Sequence, residues 1–217
     1  MTPSIRFCAL ALVLSACAVT GCANHPQPPS WQPDAKSSLD GYLDAWLHGD
    51  TPAADAEFAR ARRATASTGR FDLVAQAELV RCAARAAALV YECPGFAALA
   101  ADATPAQRAY AAYLDGRWQG LDTGLLPEQH RAVPAGGKLA AIADPLARLV
   151  AAGALFKAGR LAPDGIAAAV DTASSQGWRR PLLAWLGVEE ARARAAGDAA
   201  AAERIRRRRA LAADEAP

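Results

Sequence analysis

Aromatic residues, histidines and net charge are all scarce in this chain of 217 residues. Aromatic side chains make up 6% of the sequence, three histidines are present and the formal net charge is +2. A charge balance this close to neutral gives no general electrostatic reason to predict binding to nucleic acid. None of the histidines stands at a metal-ligand spacing from a cysteine, so we predict no metal site and no cofactor.

The sequence also lacks the short motifs that mark common enzyme active sites. It contains no Gly-Lys-Ser phosphate loop, no Gly-x-Ser-x-Gly turn and no His-Glu-x-x-His helix. Glu189 and Glu190 are adjacent, so on a helix their side chains point about 100° apart and do not form a facing carboxylate pair. His130, near Glu128, is the histidine for which an acid–base role is conceivable. The sequence favours a non-enzymatic protein and leaves catalysis open.

The first 22 residues carry the most informative pattern in the chain. Residues 1–6 include one basic side chain, residues 7–19 are almost all apolar, and small residues precede Cys22. A basic start, a short apolar block and a small-residue cleavage point are the layout of an export signal. The block is shorter than the roughly 20 apolar residues that span a membrane. We therefore predict that residues 1–21 are a signal peptide.

The residues around Cys22 resemble the lipobox of bacterial lipoproteins, in which the cysteine is lipidated and becomes the new amino terminus. Cys22 follows Val19-Thr20-Gly21 and precedes a polar, proline-rich segment. Cys17 also matches, with Leu14 three residues before it, but that choice shortens the apolar block and makes Cys17 the alternative. The resemblance implies several acyl chains on one cysteine, which hold a protein in a membrane more stably than one chain does.

The same resemblance implies a location. The residue after either cysteine is alanine and not aspartate, which in Gram-negative lipoproteins favours the outer membrane, here with the domain on the periplasmic face. The chain is similar to small alanine-rich lipoproteins of Gram-negative bacteria. The remaining alternative is an ordinary secretory signal that is cleaved without lipidation. Residues 22–34 contain four prolines and are predicted to form an extended tether.

Residues 35–213 show a helical pattern throughout, which predicts an all-α domain. Apolar residues recur at three- and four-residue steps and not in alternation. Prolines that follow a turn or capping residue mark helix starts, at Thr51-Pro52, Thr104-Pro105, Asp144-Pro145, Ala162-Pro163 and Arg180-Pro181. Residues 116–137 are rich in glycine and predict an irregular connection between two helical halves, and residues 214–217 are predicted to be a tail.

Two Gly-Asp turns resemble the hairpin of a tetratricopeptide repeat. Gly49-Asp50 and Gly197-Asp198 each separate two predicted helices. Phe58 and Ala61 fall where that repeat places a large and a small packing residue. The resemblance covers the two ends of the domain and implies antiparallel helical hairpins, loosely tetratricopeptide-like, with a concave surface. His48, just before the first turn, is interpreted as a cation that offsets the dipole at a helix end.

Cys82 and Cys93 are the cysteines that remain in the domain if Cys22 carries the lipid. An exported protein lies in an oxidising compartment, so we predict a disulfide between them. The helical pattern, however, runs over residues 71–91, and on an unbroken helix eleven positions correspond to about 16 Å. The bond therefore requires the helix to end near Ala87 and the chain to reverse. The alternative is a pair of buried thiols.

Two arginine-rich segments are candidates for contact with a partner. Trp178, Arg179 and Arg180 bring residue types that are favoured at binding hot spots to one predicted helix start; the alternative is that this segment packs within the domain. Arg204 and Arg206–Arg209 make the last helix basic. These cations suit the carboxyl end of a helix dipole, or they contact anionic lipid headgroups or an acidic partner.

Taken together, these patterns predict a non-enzymatic scaffold or adaptor that is held at the membrane by its N-terminal lipid and binds another envelope protein. The competing prediction is a cell-envelope enzyme or ligand carrier. That alternative requires a deep pocket lined by Trp118, His130 and Arg131 with a perturbed carboxylate. The identity of the partner and the oligomeric state stay open at this point.

Overall fold

The structure is a computed structural model that describes residues 29–213. The predicted signal peptide, Cys22, its alternative Cys17 and the tail at 214–217 lie outside the described residues. The described chain is helical and contains no strand, which confirms the predicted all-α class. Its α-helices are α1 (Trp31–His48), α2 (Thr51–Ala66), α3 (Phe71–Ala87), α4 (Pro94–Ala97), α5 (Pro105–Leu114), α6 (Pro145–Lys157), α7 (Pro163–Ser175), α8 (Arg179–Ala195) and α9 (Ala199–Ala213). None of these helices combines the length and the apolar character that crossing a bilayer requires.

The helix starts follow the predicted signals at most of the marked prolines. Asp50, Thr104 and Asp144 each cap the helix that follows, because their side chains accept a hydrogen bond from a backbone N–H of the first turn. At Thr104 the bond is reciprocal and forms a capping box with Gln107. Pro181 is the exception, since α8 begins two residues earlier, at Arg179.

The first helix begins inside the predicted tether. Residues 31–34 belong to α1 and are not extended, so the prediction of a tether up to residue 34 is wrong for these four positions. Pro33 lies in the first turn of α1, where backbone N–H groups have no helical partner and a proline removes no bond. At the other end, His48 Nδ1 lies 2.9 Å from the Asp44 carbonyl oxygen and 3.2 Å from the Asp44 carboxylate, and the role of His48 as a cation stays a prediction.

The third helix is shorter than its apolar pattern predicts. It ends at Ala87 and not at Tyr91. Leu89 adopts a left-handed conformation with φ 63°, which a residue with a side chain visits at a cost, and this reverses the chain ahead of α4. The helix therefore stops where the predicted disulfide needs it to stop.

The glycine-rich connection after α5 is irregular, as predicted, but it packs tightly. It contains four short 3-10 helices, at Thr123–Leu125, Glu128–His130, Val133–Ala135 and Leu139–Ala141. Leu126, His130 and Val133 are at most 2% exposed. The connection is thus a covering layer of the core, because its apolar residues bury against α5 and α6.

Helix α3 lies at the centre of the fold. Ten of its seventeen residues are buried, and six of these ten are alanines. Small side chains let neighbouring helices approach closely, and α3 contacts α1, α2, α4, α5 and α6. Large side chains fill the remaining space, with Trp185 fully buried against the α3 end, where its indole N–H donates to the Ala87 carbonyl at 3.0 Å.

The order of helix contacts differs from a simple stack of repeats. Helices α6, α7, α8 and α9 each pack on the next, and the α1–α2 hairpin packs on α3. In a linear repeat protein each unit contacts only its neighbours in the chain, yet α1 also contacts α8. The all-helical packing is therefore established, and likeness to tetratricopeptide repeats stays a prediction.

Candidate functional site

Arg179 and Arg180, at the start of α8, bind the carboxyl end of α1. Arg180 Nε donates to the Trp46 carbonyl and Arg180 Nη2 to the Thr51 hydroxyl, both at 2.7 Å. Arg179 Nε donates to the His48 carbonyl at 3.2 Å. The Arg180 guanidinium also lies over the Trp46 ring, 3.9 Å from its centroid. The two arginines thus bind carbonyl groups in the last turn of α1, where the Trp46 carbonyl also accepts from the Gly49 N–H at 3.1 Å.

The segment predicted as a partner contact therefore joins two distant parts of the same chain. Trp178 is half-buried and packs against both apolar clusters, the one around α3 and the one between α1 and α2. Burial lowers the pKa of Arg180, although an arginine stays charged in proteins. These contacts match the alternative interpretation, packing within the domain, and we base no partner contact on these three residues.

Trp118, His130 and Arg131 do not line one common pocket. The Trp118 ring stacks on the Tyr113 ring with centroids 5.5 Å apart and lines a shallow surface depression. Arg131 Nε donates to the Leu126 carbonyl at 3.0 Å. His130 is buried beneath the surface at 1% exposure. These three residues therefore do not form the deep pocket that the prediction of an enzyme or ligand carrier requires.

His130 belongs to a buried aromatic cluster. Its ring centroid lies 5.8 Å from that of Tyr110 and 5.1 Å from that of Tyr113, whose hydroxyl is 3.3 Å from His130 Nδ1. Burial lowers the pKa of His130 to about 4, and Asp144 opposes this shift. The imidazole is therefore neutral at pH 7 and has no contact with solvent, so this geometry gives no support to acid–base catalysis.

Cys82 and Cys93 lie at disulfide distance, as predicted, with Cα atoms 5.6 Å apart. Cys82 is buried on α3, and Cys93 precedes α4 after the chain reversal. The alternative of two separate buried thiols does not describe this arrangement. The pair fixes the start of α4 against α3 and so shapes the surface between them.

The cysteine pair forms part of the wall of a cleft of about 320 Å³ between α3, α4 and α5. The wall is otherwise mainly apolar and consists largely of Ala86, Phe96, Ala97, Ala100, Ala111 and Leu114. At the rim, Arg117 Nε donates to the Asp115 carboxylate at 2.7 Å. A cleft of this size and polarity lies at the lower end of the range that small-molecule sites occupy.

A second apolar depression is an open groove of about 430 Å³ where α6 ends, between α7 and α8. Phe156 on α6 is 38% exposed and packs edge-on against Trp185, with centroids 5.7 Å apart. Leu161 and Val188 add apolar surface, and Arg192 on α8 supplies one cation. We call this surface the Phe156 groove.

Two buried carboxylates are ion-paired within the fold. Glu190 on α8 accepts a hydrogen bond from Arg209 on α9 at 2.6 Å and pairs with Arg194. The hydrogen bond from Arg209 is the main cause that lowers the pKa of Glu190. Glu78 on α3 accepts from Arg62 Nε on α2 at 3.1 Å. Both carboxylates therefore join neighbouring elements, Glu190 linking α8 to α9 and Glu78 linking α3 to α2.

Sequence reasoning did not find the Phe156 groove or the cleft beside the cysteines. Each arises where helices from separate parts of the chain meet around small residues, and alanine in a sequence does not reveal whether the space beside it is filled. The sequence around Phe156 carries no signal for this exposure, because Leu47 also stands before a basic residue and a Gly turn and is 3% exposed.

Within residues 29–213, no group of three or more histidine, cysteine or acidic side chains lies close enough together to hold a metal ion. The chain was compared with family models, with curated proteins and with solved structures, and no match was found in any of the three comparisons.

Proposed function

We propose that the protein is a lipid-anchored adaptor of the outer membrane that binds another envelope protein on the periplasmic face. The signal-like pattern of residues 1–21 and the residues around Cys22 support the anchor. The Phe156 groove carries the binding part of the proposal, because a partly exposed aromatic side chain in an apolar depression is a common contact point for a protein partner.

The groove indicates the chemistry of that partner. Its floor is apolar and open, and it lies between α7 and α8. This shape accepts the apolar face of an amphipathic helix. Arg192 at the groove edge favours an acidic residue beside the apolar face of the partner. The proposed partner segment is therefore an amphipathic helix with an acidic flank.

Photo-crosslinking in intact envelopes tests the adaptor. A photoreactive phenylalanine analogue at position 156 is expected to give one discrete crosslinked product, at least tenfold more abundant than the product from position 71. Phe71 is the matched control because it is also a phenylalanine, is 56% exposed and lies at the start of α3, outside the groove. The products are compared by gel mobility and mass spectrometry.

Equal products from both positions, or no discrete product from position 156, would contradict the adaptor. The anchor is tested in parallel with Cys22→Ser, which is expected to release the protein from an outer-membrane fraction washed at high salt, whereas Cys17→Ser leaves it there. The reverse result would place the lipid on Cys17. Crosslinking from position 156 is read separately, so failure of the anchor and failure of the adaptor are distinguishable.

A ligand carrier is the second candidate function, and the cleft beside Cys82 and Cys93 favours it. The cleft is lined mainly by apolar side chains, and its charged groups, Asp115 and Arg117, stand at the rim. This arrangement suits a hydrocarbon chain in the cleft with a polar head at the mouth.

Binding of a fluorescent medium-chain fatty acid tests the carrier. Ala97→Leu adds three carbon atoms at the cleft wall and is expected to weaken binding at least tenfold. Ala98→Leu is the matched control, since Ala98 is the next residue, is exposed and does not line the cleft. Fluorescence titration measures both. The carrier is ruled out if the unaltered protein shows no saturable binding or if both variants bind as well as it does.

A further inference from the structure

The last helix packs on the rest of the protein through one narrow face. Ala202 is buried, Ile205 is partly buried against the main core and Arg209 pairs with Glu190. These residues are spaced by three and four positions, so they share one side of α9, and that side faces α8. The other side of the helix is mostly exposed, and of its residues Arg208 reaches Ser174 on α7.

The opposite side of α9 combines cations with an exposed apolar residue. At 100° per residue, Arg204, Arg207 and Leu211 lie opposite the packed side, and Arg208 flanks them. All three arginines are exposed, and Leu211 is 81% exposed, more than any other large apolar residue within positions 29–213. We call these four residues the outer face of α9.

The positive charge of this face is only partly neutralised within the described residues. Glu203 pairs mainly with Arg206, at 2.7 Å, and lies farther from Arg207, at 3.7 Å. Arg208 donates to the neutral Ser174 hydroxyl at 3.3 Å. Arg204 forms no ion pair with a described residue. Within the described residues the outer face of α9 therefore carries a net positive charge, and Asp214 and Glu215 follow it in the sequence.

We propose that the outer face of α9 docks on anionic phospholipid headgroups, as a second membrane contact beside the lipid anchor. Arginines near a membrane surface are attracted to anionic lipids, and an apolar residue among them gains by entering the headgroup boundary. Cations around one apolar residue match a headgroup layer, where anionic phosphates lie directly beside hydrocarbon, and we therefore commit this face to anionic lipid. This proposal does not depend on the Phe156 groove.

Vesicle flotation with the mature chain tests this contact. Residues 22–217 with Cys22→Ser contain the whole described domain and cannot be lipidated at that position. We expect this protein to float with vesicles of phosphatidylglycerol and phosphatidylcholine, and not with phosphatidylcholine alone. The triple variant R204E/R207E/R208E is expected to bind at least tenfold more weakly, and Leu211→Ser several-fold more weakly. High salt is expected to abolish binding, because it screens exposed charges.

The matched control is R60E/R63E/R70E, which makes the same change in net charge at arginines in and after α2, far along the chain from α9. It is expected to bind anionic vesicles as well as the starting protein does, and circular dichroism checks that both triple variants are folded.

Equal loss in the two triple variants would overturn the proposal in favour of a general charge effect. Absence of binding to anionic vesicles at low salt would also overturn it, and a crosslink from α9 to an acidic protein would replace the lipid as its partner. Crosslinking from position 156 would stand unaffected.

Discussion

Gly153→Ala is expected to lower the free energy of unfolding by about 3 kcal/mol, at the upper end of the range for overpacked cores. Gly153 lies on α6 where this helix crosses the end of α3. An added Cβ would clash with the Ala86 carbonyl oxygen and stand 2.9 Å from the Ala86 carbonyl carbon. Both atoms belong to backbone that is fixed in a helix, so the crossing has no flexible side chain that can move aside and the two helices must separate.

A second helical glycine gives a control with the opposite sign. Gly187 lies on α8, and a Cβ added there would meet its nearest neighbours, atoms of the Arg209 side chain, at 3.9 Å or more, which is ordinary contact. Gly187→Ala is therefore expected to stabilise the protein by roughly 0.5–1 kcal/mol, since alanine restricts the unfolded chain. Denaturant unfolding of both variants measures the difference. A Gly153→Ala protein as stable as Gly187→Ala would contradict the close crossing.

The α3–α6 crossing also supports both apolar surfaces. The Tyr91 hydroxyl donates to the Gly153 carbonyl at 2.9 Å, and Tyr91 is part of the wall of the cleft beside the cysteines. Three residues farther along α6, Phe156 forms part of its own groove. A wider crossing would therefore disturb the cleft and the groove together, and stability and binding would change in the same variant.

Local chemistry explains why most helices could be predicted from the sequence. Asp50, Thr104 and Asp144 cap helices because each stands directly before a helix and accepts a backbone N–H from its first turn. The end of α3 could not be found in this way. No glycine or proline stands at residues 88–91, and Leu89 takes its left-handed conformation where the Cys82–Cys93 pair holds the reversed chain. The reversal is fixed by tertiary structure, which a helical pattern does not contain.

Candidate sites were harder to predict because they depend on contacts between distant residues. Arg180 and Trp46 are 134 positions apart, and the composition of the segment around Arg180 suits a binding surface and a helix cap equally well. The cysteine pairing was predictable for another reason, since it followed from the inferred compartment. The sequence of α9 does not show which side of the helix packs on α8. The packing of Ala202 and the ion pair of Arg209 identify that side, and therefore also the outer face.

Acidification from pH 7 to pH 4 is expected to lower the stability of the protein by about 3 kcal/mol more than it lowers that of a His130→Phe variant. The pKa of His130 falls from 6.5 to about 4 on folding, because the ring is buried. Between these two values the unfolded chain binds a proton that the folded protein does not. The contribution of neutral His130 to the free energy of unfolding is therefore complete above pH 6.5. It is lost as the pH falls toward 4, at about 1.4 kcal/mol per pH unit.

The phenylalanine of the His130→Phe variant keeps a ring between Tyr110 and Tyr113. It also removes a hydrogen-bond partner of the Tyr113 hydroxyl, and the resulting loss in the free energy of unfolding does not vary over this pH range. The lowered pKa of Glu190 adds to acid sensitivity in both proteins and cancels in the difference. Leu125→Phe, a change at an exposed position that does not titrate, serves as the control and is expected to keep the acid sensitivity of the starting protein. Denaturant unfolding at a series of pH values measures all three. Equal acid loss with and without His130 would mean that this imidazole takes up a proton in the folded state, and it would then be accessible for the acid–base role that its burial opposes.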